Sequence, residues 1–303
     1  MRDRKREQDS LSIPDTFYHT MCTSIEDIPK LVKVTILVFQ QCASSNREVA
    51  SEDIFYLRHH LCTNKELFLG RLLKLSIVDI LASNLVNVET DYVKCDAAWV
   101  LTFISSGDSQ HTTFFLKESV ISALSSLLSV SNPLLVEQSI WTLSNIIGDG
   151  PVAREFVLRS NILSLLDQPL KQHFSSIPVM KSLTRMIFNI CKRMDMDIAI
   201  EYVPKIIPIL DVLIIHKDEG IIGDVLISIS YLTKSSSDHV SMIIDSGIIN
   251  KVYKFLDISP ELTINTMGVL INIAVSESEH TQYLQIMKSM LICIRYSLQQ
   301  TMR

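Results

Sequence analysis

The sequence predicts an all-α solenoid of about six repeats, and three observations carry that prediction. First, between Val93 and Leu166 the chain repeats itself: KCDAAWVLTFISSGDSQHTTFFLKESVISALSSLL is followed by EQSIWTLSNIIGDGPVAREFVLRSNILSLL. Each copy sets a Trp in an apolar helical run, an aromatic or Asn one turn later, a Gly-containing break and two further helical runs. Second, that marker recurs, because His60, Phe103, Asn145, Asn189, Tyr231 and Asn272 stand 43, 42, 44, 42 and 41 residues apart. Third, the residue sixteen past each marker (Ser76, Ser119, Asn161, Lys205, Gly247, Lys288) precedes an apolar run every time. Self-similarity of roughly 40 to 47 residues is the signature of stacked helical repeats.

Gly and Asn at the second landmark suit a left-handed residue between helices, where Ser and Lys would have to be tolerated. Pro133, Pro178 and Pro260 lie 12, 11 and 12 residues before their markers, which puts each in the first turn of a marker helix. Each unit is then a short helix, a middle helix and a longer marker helix, the three-helix armadillo pattern that winds into a right-handed superhelix.

In chain order, residues 1–24 form a mobile, solvated tail in which Arg2, Arg4, Lys5 and Arg6 stand among acids and polar residues. Residues 25–303 form one armadillo-repeat domain. Ile25 to Cys42 is an opening helix that covers the end of the stack. Asn46 to Cys62 is a degenerate first marker helix carrying Tyr56 and His60. The two strongest helices run from Asp91 to Ile104 and from Glu137 to Ile147.

At 303 residues and 47% apolar, the chain has ample core material, and length alone would suggest about two domains. The repeat overrides that reading, because in a solenoid each unit buries its apolar face against its neighbours and one continuous core results. The six cysteines are scattered without a C-x-x-C pair, as expected of reduced thiols in a cytosolic or nuclear protein. No run reaches the roughly 18 apolar residues of a membrane span. A net charge of −5 and no basic stripe beyond the N-terminal RKR argue against nucleic acid as a partner.

His59 and His60 point about 100° apart on a helix and have no further ligand at metal spacing, so no metal is expected. No G-x-S-x-G, P-loop or H-E-x-x-H signature is present, and GDGP sets an anion, Asp149, where a phosphate site needs donors. Neither enzymatic activity nor a cofactor is expected.

Trp99 and Phe103, like Trp141 and Asn145, are four residues apart and so share a helix face. On residue grounds the two indoles could be core or groove. Ala97, Ala98, Val100 and Leu101 in one helix, and Ile140, Leu143 and Ile146 in the other, already supply a core face. A large ring beside a polar Asn on the remaining face favours a groove.

DAAWVLTFISSGDSQHT and VEQSIWTLSNIIGDGPVAREFVL resemble the second and third armadillo repeats of importin α, the adaptor family that recognises classical nuclear localisation signals. The likeness is close over about 75 residues and extends as register over about 240. It implies a concave groove whose indoles accept Lys and Arg stems, a cation–π contact of about 0.5 to 2 kcal/mol. It also implies Asn side chains that clamp the backbone of an extended peptide and an acid that holds a key lysine. Trp99, Trp141, Asn145 and Asp149 match those roles. Gly107, Thr112 and Gln138 match positions lining the lysine pocket, and Asn189 matches the next Asn.

The departures are specific. Phe103 replaces an Asn clamp with a ring, and Arg185 replaces the fourth-repeat Trp with a cation that should repel a basic ligand. Ile227 with Tyr231, and Gly268 with Asn272, continue the series without an indole. These changes narrow the groove to the Trp99 and Trp141 pair and favour a short signal with one dominant lysine against Asp149. A second basic-peptide site over later repeats is expected to be missing or impaired.

The sequence thus reads as a divergent, shortened import adaptor of the cytoplasm and nucleus, with basic cargo signals as ligands. Importin β is an implied partner, although only RDRKREQ resembles the family's basic docking segment. The rival reading is a structural armadillo scaffold that holds a cytosolic protein without signal binding. A third is a fragment whose apolar end, Leu291 to Leu298, would be an uncapped solenoid terminus.

Overall fold

The computed structural model describes Leu73, residues 76–192, residues 197–277, His280 and residues 282–285. The expected tail, opening helix and first marker helix lie outside these residues, as do His59, His60, the Lys288 landmark and the stretch 291–298. The described residues form helices joined by short turns and irregular links, with no strand among them.

The first described helix, α1 (Ile77–Asn87), leads into marker helix α2 (Asp91–Ser105). The next unit is α3 (Ser109–Thr112) with a 3-10 turn, α4 (Glu118–Ser126), and marker helix α5 (Pro133–Asp149). It is followed by α6 (Pro151–Arg159), the short α7 (Ile162–Leu165) and α8 (Asp167–Gln172), and marker helix α9 (Ile177–Cys191). Then come α10 (Val203–Leu213) and marker helix α11 (Glu219–Thr233). The last described unit is α12 (Ser237–Asp245), α13 (Ile249–Val252) and marker helix α14 (Pro260–Ser276).

Local chemistry sets these boundaries. Pro133 and Pro260 open their helices, where the missing N–H costs nothing, and Pro178 sits one residue further in. Asn132 caps α5 by accepting from the Leu134 N–H at 3.1 Å, and Asp218 caps α11 by accepting from Ile221 at 3.1 Å. The second landmark is left-handed at Ser76 (φ 55°), Asn161 (φ 60°) and Gly247 (φ 76°). It is not left-handed at Ser119 or Lys205, which lie inside α4 and α10. There the chain breaks earlier through extended residues, Lys117 before α4 and Ala199 before the 3-10 turn that leads into α10.

The five marker helices α2, α5, α9, α11 and α14 pack in succession, each against the next. Ala97, Ala98, Val100, Leu101, Ile140, Leu143 and Ile146 are fully buried between them, the core face expected of them. Fully burying each branched residue contributes about 1.5 to 3 kcal/mol. The buried residues form one continuous cluster from Leu73 to Ile273.

Polar ties run between neighbouring units at the repeat spacing. Thr102 Oγ1 meets Thr142 Oγ1 at 2.8 Å between α2 and α5. Arg154 is buried and donates through Nη1 to the carbonyls of Ile190 at 3.2 Å and Lys192 at 3.0 Å, closing the end of α9. Burial pushes the Cys95 thiol up to about 11 and the Cys191 thiol up to about 12, and both are free cysteines. Among the described residues no helix is long and apolar enough to cross a membrane.

Candidate functional site

Marker helices α5, α9 and α11 each present one stripe at helical spacing to a common trough, and α14 adds a single residue. Leu134, Glu137 and Trp141 come from α5, Pro178, Lys181 and Arg185 from α9, Gly220, Asp224 and Ile227 from α11, and Glu261 from α14. Within a helix these residues are three or four apart and so stack on one face. The trough encloses about 720 Å³. Its walls mix apolar surface, including the exposed Leu134 and Ile177, with five charged side chains.

Of the residues expected to bind peptide, Trp141 and Arg185 line this trough. Trp141 is half-buried with its ring toward the opening, so its indole is not sealed in the core. Trp99 is also half-buried, but packs against the core cluster and stacks on Phe103, with centroids 5.5 Å apart and planes 20° apart. Phe103 therefore thickens the Trp99 wall instead of leaving a gap where an Asn would stand.

The Asn residues at the marker slots have a role that periodicity did not reveal. Asn145 donates through Nδ2 to Ser105 Oγ at 3.1 Å and to the Thr102 carbonyl at 3.4 Å. Asn189 donates to the Ser144 carbonyl and hydroxyl, both at 3.0 Å. Asn272 repeats the contact on Ser230, at 2.9 and 3.1 Å. In each case the amide N–H group clasps the preceding marker helix, so only the Oδ1 side is left to meet a ligand. Gly148 makes room for one clasp, since a Cβ there would lie 3.0 Å from Asn189 Nδ2.

The remaining predicted residues differ in exposure and partners. Asp149, the last residue of α5, is half-buried, and its carboxylate makes no hydrogen bond or ion pair with the protein among the described residues. Gly107 lies against His111, where a Cβ would collide with the ring. Thr112 and Gln138 are only 1% and 5% exposed, so they lie beneath the surface and not on an open wall. Gln138 is the more informative of the two, because its buried Oε1 has no hydrogen-bond partner. An orphaned acceptor of this kind is rare and calls for a donor.

Arg185, expected from the sequence to repel a basic ligand, has two partners in the fold. It pairs with Asp224 of the next marker helix at 3.4 Å and lies over the Phe188 ring at 5.1 Å. Lys181 pairs with Asp218 at 3.4 Å. Burial raises the Asp218 carboxyl, but the Ile221 backbone N–H and Lys181 outweigh it, and the net shift is downward. Burial pushes the Glu137 carboxyl above the usual carboxylate range.

Glu137, Lys181, Asp224 and Glu261 were missed as site residues. A signal for them existed, because extending each marker slot one or two helical turns toward the N-terminus reaches them.

No family model matches the chain. Among curated proteins it is 29% identical over 188 residues to importin subunit alpha-1b of Oryza sativa, covering 62% of this chain and 35% of the relative. It is 29% identical over 222 residues to importin subunit alpha-3 of Caenorhabditis elegans, covering 72% and 42%. It is 25% identical over 209 residues to importin subunit alpha-6 of Arabidopsis thaliana, covering 69% and 38%. The chain thus spans well under half the length of these relatives.

Among solved structures, a designed armadillo repeat protein in complex with the peptide (KR)4 superposes with a TM-score of 0.67 at 18% identity, over 78% of this chain and 98% of that one. A second designed armadillo repeat protein superposes with a TM-score of 0.60 at 20% identity, over 69% and 87%. With the stacked marker helices and their slots at Trp99, Trp141, Asn145 and Asn189, these likenesses identify the chain as a divergent importin-α-like armadillo-repeat protein.

Proposed function

We propose that the chain is a nuclear import adaptor that binds Lys/Arg-rich localisation signals of cargo proteins in the groove formed by its marker helices. The observation that carries this reading is the placement of Trp141 and Asp149 on one helix. The indole opens onto the trough, and the carboxylate at the helix end has no protein partner among the described residues. A basic side chain laid on such a ring gains the cation–π term, and a lysine ammonium meeting such an acid gains the charge-assisted one. Phe103, stacked on Trp99, extends the apolar wall for the next residue.

The relatives named above are importin subunits, so a second importin subunit and a working range spanning cytoplasm and nucleus belong to this reading. The peptide complex of the designed neighbour supports the ligand class, since (KR)4 is basic along its whole length.

Fluorescence anisotropy with a labelled peptide bearing one Lys/Arg cluster tests the proposal. Binding should weaken as salt rises, because the contacts are ionic and partly exposed. Asp149→Ala should cost about 1 to 3 kcal/mol, the range for losing a charged hydrogen-bond partner. Absence of binding at low salt, or an affinity indifferent to Asp149→Ala, would leave an armadillo scaffold for another protein as the remaining function.

A further inference from the structure

The trough does not present one sign of charge along its length. Its α5 wall carries Glu137 beside Trp141, its α9 wall Lys181 and Arg185, its α11 wall Asp224, and its α14 wall Glu261. The two cations in the middle are paired, but in both pairs the cation is the outer member. The Arg185 side chain is 47% exposed against 21% for Asp224, and Lys181 is 57% exposed against 21% for Asp218. The acids lie beneath and the ammonium and guanidinium face the trough, so the surface met by a ligand at α9 is positive.

Arg185 is also held in place, since it lies over the Phe188 ring as well as against Asp224. A guanidinium carries five donors, and Asp224 engages it from one side only. It therefore keeps donors for a second carboxylate, and Lys181, one turn earlier on the same face, adds another.

From this order we infer that the trough takes an extended segment of mixed charge: a Lys or Arg at Trp141 and Glu137, an Asp or Glu at Lys181 and Arg185, and a second basic residue at the exposed Glu261. The inference rests on the basic-signal reading above and narrows its ligand class. Packed helices lie about 8 to 10 Å apart and an extended chain rises about 3.3 Å per residue, so the acidic residue falls about two to three residues from the first basic one, and the second basic residue, two helices further on, about five to six beyond it. An all-basic segment would set like charges against each other at α9, and an all-acidic one would do so at both ends.

Anisotropy titrations of three labelled peptides test this. All carry a Lys/Arg residue at each end of the segment and differ only at the position facing α9, which is Glu, Gln or Lys. The Glu peptide should bind about two- to fivefold more tightly than the Gln peptide, the range of an exposed ion pair, with the Lys peptide weakest. Lys181→Gln combined with Arg185→Gln should abolish the order while all three peptides still bind. If the Lys peptide binds as well as the Glu peptide, and Trp141→Ala weakens both, the mixed-charge inference is wrong and the basic-signal reading stands. If none of the three binds, both fail. A thermal melt of the double variant establishes that it is folded, and single Lys181→Gln serves in its place if it is not.

Discussion

Asn189 shows how a side chain can be located from sequence and still be misread in role. Its slot was legible because the same residue returns at Asn145 and Asn272 at the repeat spacing. The division of its amide was not, because only coordinates reveal that Nδ2 spans to the Ser144 carbonyl of the previous helix. Gly148→Ala tests that tie. The added methyl would sit 3.0 Å from Asn189 Nδ2, and displacing the amide should cost about 1 to 3 kcal/mol in denaturant melts, the penalty for unpairing a buried polar group. The combined Gly148→Ala/Asn189→Ala protein should be less destabilised than the sum of the single variants, since both act on one contact.

Glu137 gives a pH-dependent counterpart at the same scale. Its folded pKa is raised by burial, so the free protein loses stability as pH rises from the ordinary Glu range through the raised value. Glu137→Gln should therefore raise the melting temperature of the unliganded protein at neutral pH, with the gain vanishing in acid where the native carboxyl is already protonated. Binding has the opposite sign. A ligand cation prefers the carboxylate, so wild-type affinity for a basic peptide should fall as pH drops through the raised pKa and that of Glu137→Gln should not.

Among the elements, the marker helices were the most legible, because Pro at the first turn, apolar residues at helical spacing and a break after the marker all agree. The links between short and middle helices were read less well. A left-handed residue at the second landmark holds for Ser76, Asn161 and Gly247, but fails at Ser119 and Lys205. At those two units an extended residue, Lys117 or Ala199, makes the bend before the landmark is reached. Ser76 carries the cost of its conformation, with a Cβ at φ 55°. Ser76→Gly should therefore stabilise the protein by about 1 kcal/mol, seen as a higher denaturant midpoint with an unchanged slope. A destabilised variant would mean that the Ser76 side chain contributes more than its backbone strain costs.

For the molecule as a whole, the repeat period was sufficient to give the architecture, since a unit that buries its face only against its neighbours leaves few alternatives to a stack. Of the residues lining the trough, the sequence pointed to Trp141 and Arg185. Trp141, Asn145 and Asp149 stand in a segment with a strong likeness, whereas Lys181, Asp224 and Glu261 acquire meaning only once α5, α9, α11 and α14 are side by side. The sign of the field is a property of that assembly. The sequence showed Arg185 as a cation, and the fold sets Asp224 against it.

The chain has two tryptophans, and the account places one of them, Trp141, where a bound basic side chain would cover it. Titrating the Trp99→Phe protein with a Lys/Arg-cluster peptide, while following the emission of the single remaining indole, therefore tests the central claim most directly. A saturable change in Trp141 emission that is lost at high salt and weakened by Asp149→Ala is the predicted result. A folded protein whose emission stays constant at peptide concentrations that saturate its relatives would contradict it.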